Sequence, residues 1–159
     1  MTPTELLATT ALASWKQVTT RLDQGVRKAT DEHLQKEIAP GKNRIYYLIG
    51  HLTAVNDRML PMLGLGDRLY PQLDEPFVTQ PDRAVPDPLS IPELRQAWNE
   101  VNTKLTEAFE KLTPEDWLKP HAAVSEEDFA KEPLRNRLAV LLSRTNHVSF
   151  HVGQIVLVK

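Results

Sequence analysis

Two histidines lie four residues apart in "NHVSFHVGQIV", residues 146–156, inside an apolar C-terminal stretch of a chain with five histidines in all. On a helix such neighbours stand about 6 Å apart along the axis and roughly 40° apart around it. His147 and His151 can therefore aim their imidazoles at one point, as in the paired-histidine halves of helical metal sites. Two surface histidines at a common spacing would read the same way. A divalent ion held well also needs a third ligand, and His51 is the candidate. It follows "YYLIG" and precedes "LTAV", inside an apolar helical pattern, so it points toward or beside a core. Buried neutral imidazoles require separate hydrogen-bond partners or a shared cation. His33 ("TDEHLQ") and His121 ("KPHAAV") fall in polar connecting stretches and read as solvated. Tyr47 and Arg58, one and two turns from His51, could contact a ligand but equally suit the edge of a bundle.

The rest of the composition narrows the chemistry. There is no cysteine, which excludes disulfides, thiolate nucleophiles and cysteine-based zinc sites. The net charge of −2 and the lack of basic clustering give no footprint for nucleic acid or an anionic membrane. No apolar run approaches the ~20 residues of a membrane span, and "MTPTELLATTALASWKQ" lacks the basic start of a signal peptide. A cytoplasmic protein is expected. Its 159 residues suffice for one domain, 1–159, that buries about two-thirds of its unfolded surface.

The elements that must carry the histidines are helices, since 3.6-residue periodicity dominates and alternating runs are scarce. Thr2, Pro3 and Glu5 form a helix start. Leu7, Ala11, Trp15, Val18 and Leu22 then share a face, and Gly25 weakens continuation. A second helix runs from about Arg44 into the sixties with Ile45, Leu48, Ile49, Leu52, Val55, Met59 and Leu63 as its stripe. Pro61 and the glycines at 64 and 66 end it. "YPQLDEPFVTQPDRAVPDPLSIPE" holds six of the twelve prolines and reads as a long crossover, ordered or mobile, that permits parallel neighbours. Ser90 and Glu93 cap a third helix, lined by Leu94, Trp98, Val101, Leu105, Phe109 and Leu112. "LTPEDWLKP" suggests a short turn capped by Thr113. A fourth helix from near Pro133 to the end has Leu134, Leu138, Leu141, Leu142, Thr145, Val152, Ile155 and Val156 on its core side. Phe77, Asp82 and Asp87 of the crossover would wall the histidines if it roofs them. The expectation is an all-α single four-helix bundle.

"GHLTAVNDRML", the proline-rich crossover, "LTPEDW" and the terminal "NHVSFHVGQI" together resemble the DinB-like (DNA-damage-inducible) superfamily over nearly the whole length. "APGK" at 39–42 and "ATDE" at 29–32 are also similar. The resemblance implies an up-down-down-up bundle, often a homodimer, with the long crossover between helices two and three. It implies a metal held by one histidine of the second helix and two of the last, here His51, His147 and His151. Gln154 matches the family's Gly-Gln pair without a ligand role. Three imidazoles leave a divalent ion an open position. They suit zinc or nickel foremost, with iron, cobalt or manganese as further options. The relatives imply a small-molecule substrate, with S-transfer from a low-molecular-weight thiol or hydrolysis as the reaction. The competing expectation is a non-catalytic metal-binding or structural homodimer, using apolar residues of the last helix outside its core stripe, namely Ala139, Phe150 and Leu157. No general acid or base stands out.

Overall fold

A computed structural model describes all 159 residues and is all-helical. Seven helices occur in order: α1 Pro3–Lys28, α2 Asp31–Leu34, α3 Ile45–Asp57, α4 Met59–Met62, α5 Ile91–Phe109, α6 Glu126–Lys131 and α7 Arg137–Ile155. There is no strand, only isolated backbone bridges between Glu37 and Arg44 and between Pro120 and Asn136. The four long helices supply most of one continuous core. Trp15, Leu52, Trp98, Leu105, Leu141 and Val148 lie in it, and Trp117 from the turn after α5 is also buried there. Helix α1 packs along α7, and α3 packs against α5.

Local sequence accounts for the helix ends. Reciprocal Thr2–Glu5 and Ser90–Glu93 bonds satisfy the first free amides of α1 and α5. Asn136 caps α7 by accepting from the Ala139 amide. Thr113 accepts from the Asp116 amide at the start of a 3-10 turn, Glu115–Leu118. Gly64, at φ +68°, occupies the left-handed position that ends α4.

Several sequence expectations shift. Helix α1 continues through Gly25 to Lys28, because one glycine costs only about 1 kcal/mol and Val26 is buried beyond it. The second helical pattern divides at Arg58 into α3 and α4. Short α2, which carries His33, and short α6 form in stretches that read as connections in the sequence. The fourth helix begins at Arg137, not near Pro133; its core stripe runs through 138, 141, 145, 148 and 152, a 3-4-3-4 spacing, with Val140 buried beside it. Leu134 and Val156 therefore lie on the surface, and Leu142 is half exposed, against the expectation that they face the core; Leu7 of α1 is exposed as well.

The crossover is ordered and tied down at its middle. Arg44, just before α3, makes paired bonds to Asp82 and Asp87, and its backbone amide donates to Asp82 Oδ2 at 2.8 Å. Tyr46 and Tyr47 donate their hydroxyls to the carbonyls of Leu89 and Gln80, each at 2.6 Å. Nearer α4, Asp57 is wholly buried and accepts from the Leu69 and Tyr70 amides and from Arg68. The crossover thus lies along α3 through residues 71–79, which brings Phe77 onto the helix beside His51.

Candidate metal centre

Helix α3 carries His51 and α7 carries His147 and His151, all three half-buried. In α7 the two histidines immediately precede buried Val148 and Val152, so both flank the core stripe and face α3. Nε2 of His51 lies 3.1 Å from Nε2 of His147, which lies 3.1 Å from Nε2 of His151. One nitrogen from each ring falls within a 4.8 Å group. Three ligands of a tetrahedral ion with bonds of 2.0–2.1 Å stand about 3.3 Å apart, so the observed spacing is close to what an ion would impose.

Two neighbours determine which nitrogen of each outer ring carries the proton. The Phe77 carbonyl can only accept, so Nδ1 of His51, 2.8 Å away, donates to it. Nδ1 of His151 donates to Oε1 of Gln154 at 2.7 Å. Both rings consequently turn a bare Nε2 lone pair inward, the arrangement by which outer hydrogen bonds orient metal-ligating histidines. Nδ1 of His147, by contrast, is buried without a partner.

Electrostatics keep the rings neutral. Burial lowers the proton affinity of His51, assisted by the charges of Arg58 and Arg144, while the bond to Phe77 opposes it. His147 is pushed down to about 4 by burial first, then by the other two histidines and Arg144. Burial also lowers His151, against the bond to Gln154. Three neutral imidazoles meeting at Nε2 offer only the single proton of His147 to hold them together. The other nitrogen lone pair is left facing a nitrogen. The donor set therefore fits a divalent cation, and these three residues could hold one.

The sequence pattern of the DinB superfamily matches residues 14–155. This chain belongs to the DinB superfamily. No curated protein matches it.

Within this DinB chain, the three expected histidines come together, while His33 and His121 stay outside the cluster. Tyr47 stacks near-parallel on His51, with centroids 6.4 Å apart, and Arg58 pairs with Asp74 at 2.8 Å. The anticipated acidic wall is absent: Asp82 and Asp87 are engaged by Arg44, and Phe77 contributes its backbone oxygen. Gln154 gains a part that its position alone did not disclose, as the orienting acceptor for His151. The Phe77 carbonyl had no sequence signal, because every residue type carries one. A separate groove of about 320 Å³ opens between α1 and α5 beside Trp15, Trp98 and Asn102, away from the histidines. No helix is long and apolar enough to cross a membrane.

Proposed function

We propose that this DinB chain is a metal-dependent enzyme acting on a small molecule, with His51, His147 and His151 as ligands of a divalent ion, zinc or nickel foremost. Its reaction is S-transfer from a low-molecular-weight thiol or hydrolysis, and the cytoplasm, where such thiols abound, is its place of work. The observation that carries this reading is the convergence of three Nε2 atoms, two of them stripped of protons by Phe77 and Gln154. When bound, such an ion acts as a Lewis acid that acidifies a water or thiol reaching its open position. The residues do the remainder. Phe77 and Gln154 hold two rings in orientation, Tyr47 backs His51, and the buried setting keeps the imidazoles unprotonated at neutral pH. The up-down-down-up order of the long helices belongs to the same proposal.

Elemental analysis of tag-free protein tests the reading. About one ion per chain is expected, lost in His147→Ala, with thiol- or water-dependent turnover that disappears on chelation and returns with metal. Protein that stays metal-free under zinc or nickel supplementation, or a His147→Ala variant that keeps its ion, would overturn it.

A second reading is a homodimer in which the metal is structural. Phe150, Val156 and Leu157 project from the C-terminal region with 62%, 55% and 76% of their surface exposed, an apolar group suited to a second copy. A dimer by light scattering that dissociates in Phe150→Glu, together with a large fall in melting temperature and no turnover to lose in His147→Ala, would favour this reading.

A further inference from the structure

Arg144 lies on α7 one turn before His147, half-buried, and its guanidinium Nε is shielded from solvent without a hydrogen-bond partner. Six of the ten arginines, at 27, 44, 58, 68, 83 and 95, pair with carboxylates; Arg144 does not. Burying such a group unsatisfied is costly, and a guanidinium cannot shed its proton to escape the cost. Arg137 shares the orphaned Nε but stands ten residues, about 15 Å of helix, from His147.

The surroundings supply no counter-charge. The charges acting on the three histidines are those of Arg58, Arg144 and the histidines themselves, and the charge acting on Arg144 is Arg58. Asp74, the carboxylate nearest in connection, is shared between Arg58 and Arg68 at 2.8 and 2.6 Å. Adding a divalent ion to three neutral ligands would raise the local positive charge further. A half-buried site of this kind is completed by an anion from outside.

We infer that Arg144 binds an oxyanion, a carboxylate or its like, on the small molecule that reaches the three-histidine centre. This rests on the metal-dependent reading above and adds the substrate class: a molecule with one group for the histidine centre and a negatively charged group a few bonds away. Arg144 is a binding residue whose planar fork matches an oxyanion in two parallel hydrogen bonds.

The test uses full-length protein loaded with cobalt(II), whose visible spectrum reports ligand exchange. The probes are 3-mercaptopropionate and 3-mercaptopropanamide, which differ in the charge of the far end. The acid should bind roughly 10- to 100-fold more tightly than the amide, the range for a hydrogen bond to a charged group. Arg144→Gln should remove that preference while leaving cobalt stoichiometry and amide affinity unchanged, and Arg144→Lys should keep part of it. Equal affinities in the wild type would overturn the inference and leave the metal reading standing. A preference that survives Arg144→Gln would also overturn it, since it would mark chelation of the ion by the probe itself. Should Arg144→Gln not fold, the wild-type and Arg144→Lys comparison decides alone, with an undiminished preference in Arg144→Lys counting against the fork. Failure to bind cobalt at all would bring down both readings together.

Discussion

Replacing Gly50 with alanine probes how the fold and the candidate metal centre are joined. A methyl group there would lie 2.5 Å from Cζ of Phe77 and closer still to Cδ1 and Cε1. The ring cannot swing aside cheaply, because it is 1% exposed and packed between Tyr46 and Tyr47 at 5.7 and 5.9 Å. Overpacking of this depth belongs at the upper end of its range, about 3 kcal/mol. Alanine in mid-helix returns about 1 kcal/mol over glycine. The net loss of about 2 kcal/mol corresponds to a fall of about 4–8 °C in melting temperature for a chain of this length. Displacement of Phe77 also withdraws the carbonyl that orients His51, so metal affinity should drop about 10- to 100-fold. Scanning calorimetry of the metal-free protein and competition with a chelator dye measure the two effects separately. In a Phe77→Ala background the added methyl should be neutral or stabilising. A Gly50→Ala protein that melts at or above the wild-type temperature, or one that loses as much stability in the Phe77→Ala background, would refute the reasoning.

Gln154→Leu removes the acceptor for His151 and should weaken zinc binding about 10- to 100-fold while moving the metal-free melting temperature little, checked by dye competition and calorimetry. The histidine proton affinities are lowered by folding, so the unfolded chain takes up protons near pH 6.5 that folded His147 accepts only near 4. Their contribution to the stability of metal-free protein is therefore full above about pH 6.5 and lost as pH falls toward 4. His147→Gln should flatten that part of the melting profile, and a wild-type profile already flat from 7 to 4.5 would count against it. Arg44→Leu leaves buried Asp82 without its cation and should cost about 3–5 kcal/mol, with new protease cleavage between residues 70 and 90 seen by mass spectrometry.

The histidine trio was legible from two sources: helical geometry brings His147 and His151 together, and the DinB resemblance joins His51 of another helix to them. Capping boxes at Thr2 and Ser90 announced two helix starts, being local. What escaped was non-local or carried by the main chain. The fixing of the crossover by Arg44 joins residues some forty positions apart, and nothing near Arg44 signals Asp82 or Asp87. Leu134 precedes the cap at Asn136 and Val156 follows the last residue of α7, so neither belongs to the helical stripe that the sequence pattern extends through them, and Leu142 stands at the margin of that stripe. The acidic wall failed because charge in a proline-rich segment says nothing of which cation it will meet.

The acceptors behind His51 and His151 differ in a way that matters for heredity. One is a peptide oxygen, common to every amino acid, so no codon change at position 77 deletes it, though a bulkier neighbour can dislodge it. The other is an amide side chain that one nucleotide can turn into something else. Lineages drifting away from metal chemistry would thus be expected to lose their grip first on the C-terminal side, at position 154, while the imidazole of α3 stays oriented toward a partner it no longer serves.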